Sequence, residues 1–170
     1  MKMTTEEAFV KVLQMHGIEH AFGIIGSAMM PVSDLFPQAG ITFWDCAHET
    51  NAGMICDGYT RSTGKMAMAI AQNGPGITGF VTPIKTAYWN HTPMLLVTPQ
   101  AANKTMGQGG FQEVEQMALF KDMVRFILKT TTGSVARHCF FAKAPGNWPC
   151  LFTRLGLQGT PTCSLPEHHA

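Results

Sequence analysis

Apolar positions along the chain fall into two kinds of run, stripes at helical spacing and short unbroken blocks. Ala8, Phe9, Val12, Leu13 and His16 recur every three or four residues behind Thr4 and Thr5, either of which can cap a helix, and Gly17 stops the run. "EHAFGII" then predicts a short strand, "GSAMMPVSDLF" a second helix and "GITFWDCA" a second strand. "ETNAGMICDGYTRSTG" reads as a helix ending at Gly64, "KMAMAIAQ" as a strand, "GPGITGFVTPIKTAYWN" as a loop and helix, and "PMLLVTPQ" as another strand.

The last two strands carry no alternation, so both of their faces should be covered. Strands separated by helices imply right-handed crossovers and parallel pairing. The expected fold is therefore α/β, a doubly wound parallel sheet with helices on both faces. Ligands in such sheets sit beyond the carboxyl ends of the strands, which places residues 23–27, 48–51, 73–76 and the chain from Pro99 onward on one functional edge.

The chain has 170 residues, suited to one domain of ordinary size; it is 45% hydrophobic and 14% charged with a net charge of +1. That balance provides no broad field to draw nucleic acid or an anionic membrane, so neither partner is expected. Glu6 and Glu7 interrupt the N-terminus, which carries no signal-peptide or membrane-spanning run, and a cytoplasmic location is the default expectation. Five cysteines form no C-x-x-C pair, which argues against a zinc ribbon or a disulfide framework.

Composition breaks near residue 125. Residues 1–124 hold seven Lys/Arg and ten Asp/Glu, whereas residues 125–170 hold five Lys/Arg and the single acid Glu167. All 12 methionines lie at or before Met123. The expectation is a domain over residues 1–124, incomplete at its C-terminal edge, followed by an atypical tail over 125–170, frameshifted or disordered, in which "FILKT" could pass for a short strand.

Several motifs have to be weighed. "GPGITG", residues 74–79, fits G-x-G-x-x-G, but no Asp or Glu stands between residues 80 and 112 to meet a ribose, so a tight turn with close backbone approach is the better reading than a dinucleotide site. Gly64-Lys65 is followed by Met66, which fails the phosphate-loop pattern. His48 and His91 lack a second ligand at helical spacing, so no metal site is expected. Asp57 and Arg61 could pair along a helix, and Trp44, Tyr88 and Trp89 read as core or interface anchors. "GQGGFQEVEQM" is Gly-rich and then helical, as either a surface loop or one that orders over a ligand.

Glu49 is the candidate on which the function turns. An acid in the first turn of a helix is stabilised by the helix dipole at about 0.3–1 kcal/mol, which alone could explain it. A role in proton exchange requires an apolar cleft that disfavours a charged carboxylate, and Phe43, Trp44, Met54 and Ile55 flank the position.

Four stretches, "AFGIIGSAMMPVSDLF", "CAHETNAGMICDGYTRSTGK", "AIAQNGPGITGFVTPIKTAYWNHTPMLLVTPQ" and "GQGGFQEVEQMALF", resemble in order and spacing the pyrimidine-binding domain of thiamine diphosphate enzymes of the acetohydroxyacid synthase and pyruvate oxidase group. The wording "HETNAGM", "YWNHTP" and "TPQAANKTMGQGGFQEVEQM" is most similar to the sulfoacetaldehyde acetyltransferase branch. That resemblance implies a reaction in which the thiazolium carbon of thiamine diphosphate attacks sulfoacetaldehyde, sulfite leaves and the acetyl group passes to phosphate. It implies that Glu49 hydrogen-bonds a pyrimidine nitrogen and is catalytic, and that Ile24, Ile25, Gly26, Gly74, Pro75 and Gly76 contact the cofactor. It further implies that Ser27, Phe111 and Gln112 face substrate, while Gly79 replaces an asparagine common in the family.

The resemblance ends near residue 124. It implies that Mg2+ and the diphosphate are held by a domain not present in this chain, that active sites lie between subunits of a homo-oligomer, and that the chain alone is inactive. Two other readings remain open at this point: a stand-alone pyrimidine-binding subunit of a split thiamine enzyme, and a fragment of an acetolactate synthase-like enzyme.

Overall fold

The computed structural model describes residues 3–102, 104–124, 126–132 and 135–141, the last two segments as strands alone. Helix α1 (Thr5–Met15) opens with a capping box in which the Thr4 side chain accepts from Glu7 N and the Glu7 carboxylate accepts from Thr4 N. Such a cap is worth about 1 kcal/mol. Its stripe of Ala8, Phe9, Val12 and Leu13 is buried.

Strand β1 (His20–Gly23) follows, then a single turn α2 (Met30–Ser33), a 3-10 turn at Pro37–Ala39 and strand β2 (Thr42–Asp45). The second helix is much shorter than the sequence pattern suggests. Pro31 sits in its first turn, and after the bond from Asp34 N to Met30 O the backbone tightens into three-residue turns, Leu35 N to Val32 O and Phe36 N to Ser33 O, so the run does not continue as an α-helix. Helix α3 (Glu49–Thr63) ends at Gly64 in the left-handed region, and β3 (Ala67–Ile70) leads to α4 (Pro75–Thr78) and α5 (Val81–Trp89). Strand β4 (Met94–Ala102) outruns its expected end, and only α6 (Gln116–Phe120) of the "GQGGFQEVEQM" region is helical.

The sheet order is β2-β1-β3-β4-β6-β5, with β5 (Phe126–Thr132) and β6 (Val135–Phe141) at one side. The first four strands are mutually parallel; β6 pairs antiparallel with β4 and β5 with β6. Pro99 lies beyond the parallel ladder of β3 and β4, and the β4–β6 register shifts between Pro99 and Ala102, where a residue without an N–H interrupts the ladder at least cost. Of the tail expected from residue 125 onward, these two strands are what the structure describes; the remainder lies outside the described residues.

Alternate residues of the central strands feed two cores. Met68, Ile70, Leu95 and Val97 pack with α1 and α2 on one face, while Ala67, Ala69, Met94 and Leu96 pack with α3, α5 and α6 on the other. Helices thus cover both faces, as a doubly wound sheet requires. The alanines of β3 let α3 approach closely, and Gly53 of α3 packs directly against Pro83 and Phe80 at the start of α5.

Candidate functional site

The chain steps outward from β1 to β2 in one direction and from β3 to β4 in the other, so the strand order reverses between β1 and β3. At such a switch point the loops leaving the two strands part and leave a crevice beyond their carboxyl ends. Residues 24–27 leave β1 there and residues 71–76 leave β3. The two loops touch through Gln72, whose side chain fills the space a Cβ on Gly26 would need. Gln72 Oε1 is buried without a hydrogen-bond partner among the described residues.

Glu49 comes to this edge as the first residue of α3. His48 caps the helix by accepting Thr50 N on Nδ1 at 3.1 Å, and the Thr50 hydroxyl donates to the Gly79 carbonyl at 2.8 Å. The first bond closes the helix cap, and the second fixes the first turn of α3 against the 74–79 turn. A Cβ on Gly76 would stand 3.2 Å from Glu49 Oε1, and one on Gly79 3.0 Å from Glu49 Cβ. The carboxylate is half-buried, and among the described residues no donor reaches it. His48 is thus a structural histidine, and His91 is an exposed residue in the left-handed region.

Gly74 has φ +71 and ψ −119, a conformation for glycine, and a Cβ there would fall 2.5 Å from the Gln112 carbonyl oxygen. The same oxygen accepts from Asn73 Nδ2 at 3.0 Å. The loop after β4 therefore sits on the turn after β3. Phe111, beside it, is 87% exposed.

The structure brings Glu49, Gly74, Gly76 and Gln112 together and joins Gly26 to them through Gln72. Pro75 is exposed at the start of α4; Ile24 is half-buried, and Ile25 and Ser27 are exposed on the β1 loop. An apolar cleft built from the flanking residues is not found: Trp44, Met54 and Ile55 are exposed, and Phe43 packs on the core under α1 and α2. Of the two readings of the aromatics, Trp44 and Trp89 do not belong to the core, at 50% and 68% exposure, which leaves the interface reading for them, while Tyr88 is half-buried with its ring edge-on to Trp89. Asp57 and Arg61 do pair, at 3.5 Å, with Asp57 buried.

Gln72, Asn73 and Thr50 contribute to this geometry without having been singled out. Their only sequence signal is position, a polar residue immediately after a buried strand or in a first helical turn. Burial pushes the thiols of Cys46 and Cys56 upward, so neither is a ready nucleophile. Among the described residues no group of His, Cys, Asp and Glu could hold a metal ion, and no helix is long and apolar enough to cross a membrane.

An aminopyrimidine fits these residues. It presents ring nitrogens and an exocyclic amine to hydrogen-bonding groups and a flat face to backbone, and the edge offers a carboxylate and a buried amide oxygen that have no hydrogen-bond partner among the described residues, with a turn whose glycines leave backbone bare.

Residues 3–119 match the family described as thiamine pyrophosphate enzyme, N-terminal TPP binding domain. The chain is 85% identical over 124 residues to a sulfoacetaldehyde acetyltransferase of Roseovarius nubinhibens and 78% identical over 124 residues to one of Rhodobacter capsulatus, covering 73% of this chain and 21% of each relative. It is 30% identical over 167 residues to an acetolactate synthase of Arthrospira platensis, covering 94% of this chain and 27% of that one. The chain spans about a fifth of the length of the acetyltransferases it matches.

Proposed function

This chain belongs to the thiamine pyrophosphate enzymes, in their N-terminal cofactor-binding domain, and we propose that it is the aminopyrimidine-binding part of a sulfoacetaldehyde acetyltransferase, which turns sulfoacetaldehyde and phosphate into acetyl phosphate and sulfite. The observation that carries this reading is Glu49: a half-buried carboxylate at the crevice edge, backed by Gly76 and free of donors among the described residues. Identity of 78–85% to acetyltransferases supports the choice of reaction.

Bound thiamine diphosphate supplies the carbanion chemistry, with its diphosphate and Mg2+ held outside this chain. Glu49 would hold a ring nitrogen of the pyrimidine and exchange a proton with it. Gly74, Pro75 and Gly76 would hold the ring through their backbone, and Ile24, Ile25 and Gly26 would border it on the β1 side. Ser27, Phe111 and Gln112 stand toward the substrate, where the Ser27 hydroxyl donates to a sulfonate or phosphate oxygen. The complete site lies between subunits of a homo-oligomer, in the cytoplasm, and serves sulfonate breakdown.

Calorimetry with thiamine diphosphate and Mg2+ tests the reading. The chain alone is expected not to bind, and binding is expected when the remaining four fifths of a relative is supplied; micromolar binding by the chain alone would refute the need for a second domain. In the complemented protein Glu49→Gln should abolish turnover, and unchanged substrate affinity in Ser27→Ala would remove that residue from the substrate side.

The domain boundary is placed at residue 124, with 125–170 of different origin. The composition break and the 124-residue span of the acetyltransferase matches support it, whereas the match to the acetolactate synthase of Arthrospira platensis, over 94% of the chain, runs past it. Translation of the parent DNA in the other frames from about codon 124 should yield a diphosphate-binding domain, and its absence would refute a frameshift. A split-enzyme subunit is the second reading, favoured by one observation, the continuation of the sheet into β5 and β6 past that boundary.

A further inference from the structure

Glu113 lies outside the groups assigned above. Its carboxylate accepts from two backbone amides of its own loop, Gly107 N on Oε1 and Gly110 N on Oε2 at 2.9 Å. We propose that Glu113 is a positioning residue, whose carboxylate holds the 104–112 loop in the one shape that seats Gln112 on the Asn73–Gly74 turn beside Glu49. The inference rests on the cofactor reading only for what that seat serves.

Three observations carry it. The loop is fixed at its base by buried amides: Gln116 Nε2 donates to Pro99 O at 2.9 Å and to Gln100 Oε1 at 3.1 Å, and Gln100 Nε2 donates to Val114 O at 3.1 Å. Beyond that base the loop is largely exposed and glycine-rich, with Gly107 and Gly109 both in the left-handed region, and its own backbone bonds, Gln108 N to Thr105 O at 3.1 Å and Glu113 N to Gly110 O at 3.0 Å, each close only one turn. The Glu113 carboxylate is what ties its two turns together.

The loop also delivers a strained residue. Gln112 has φ +57, uncommon for a side chain of its kind, and its carbonyl receives Asn73 Nδ2 at 3.0 Å while excluding any Cβ on Gly74. The turn under Glu49 and the loop over it therefore share one contact. Releasing the clamp should be felt across it.

A carboxylate is needed because both partners are donors. Glutamine has the same shape but meets one of the two N–H groups with its own NH2, so one bond is lost and two donors face each other. The glycine amides also hold the Glu113 carboxyl below the usual carboxylate range, as expected for a group that accepts from backbone N–H.

The test uses the full 170-residue chain and nuclear magnetic resonance. In Glu113→Gln, exchange at the Gly107 and Gly110 amides should rise roughly ten-fold, the size of one lost charge-assisted bond, and the Asn73 side-chain amide should lose protection with them. Strands β1 and β3 should keep theirs, which shows that the variant folds. Loosening at Gly107 and Gly110 with Asn73 unchanged would overturn the proposal, since the clamp would then be local; so would no change at either. Glu113→Asp, which keeps the charge but reaches one methylene less far, should give an intermediate effect, and it carries the same decision if the glutamine variant does not fold. Glu49→Gln should leave every one of these signals unaltered. Failure of the complemented wild type to bind thiamine diphosphate would count against the cofactor reading alone.

Discussion

The Glu49 carboxylate and the backbone of Gly76 occupy adjoining space, so that a Cβ on Gly76 would lie 3.2 Å from Oε1. An acid on one helix thus sets which residue the turn of another can carry. Gly76→Ala separates the consequences for stability and for binding. Alanine favours the helical backbone at this position by about 0.5–1 kcal/mol, and the crowded neighbour is the end of a flexible side chain, so a urea melt should shift by less than about 1 kcal/mol. The carboxylate must nevertheless move, and cofactor affinity in the complemented protein should fall. Unchanged affinity would show that Glu49 does not need its present place.

Gly74→Ala should behave in the opposite manner. The backbone conformation excludes a side chain and the obstructing atom is a carbonyl oxygen at 2.5 Å rather than a mobile group. A loss of about 2–4 kcal/mol in unfolding free energy is expected. A variant as stable as the parent would mean that the loop carrying Gln112 lifts away freely.

Thr50 links α3 to the 74–79 turn through a single 2.8 Å bond to Gly79 O. Thr50→Val keeps the shape and removes the donor, and should cost about 0.5–1.5 kcal/mol, whereas Thr50→Ser should cost less. Thermal melts of the pair decide this. Equal losses would assign the effect to packing of the methyl group.

The 104–113 loop should open in acid. The Glu113 carboxyl is lowered in the folded chain because the ionised form accepts the Gly107 and Gly110 amides. A depressed value makes its contribution complete above the usual carboxylate range and removes it as pH falls through the lowered value. Proteolysis within residues 104–113 should therefore accelerate below that range in the parent and be equally fast at both pH values in Glu113→Gln. Acid acceleration that persists in the variant would point to another group.

Much of the fold is legible in local pattern. The Thr4 cap with Glu7, the stripe of α1 and the unbroken blocks "AMAI" and "MLLV" each depend on neighbours a few residues away. The second helix is shorter than its apolar content suggests, because beyond Asp34 the backbone bonds tighten to three-residue turns, which the spacing of apolar positions does not report. For Trp44 and Trp89 the sequence left core and interface open, because an aromatic residue carries no mark of which face of its element meets the core, and the structure excludes the core.

Glu49 shows the same division within the site. Its place in the first turn of a helix after a strand follows from sequence alone, as does the glycine-rich turn at 74–79, and the family resemblance links the two. That the carboxylate stands over Gly76, that Gln112 covers Gly74 from 38 residues away, and that Gln72 is left with a buried unpartnered oxygen were decided only when the sheet brought three loops to one edge. Periodicity reports which residues an element buries, because that depends on spacing along one segment. Which elements then face each other depends on strand order, and the reversal between β1 and β3 is a property of the assembled sheet.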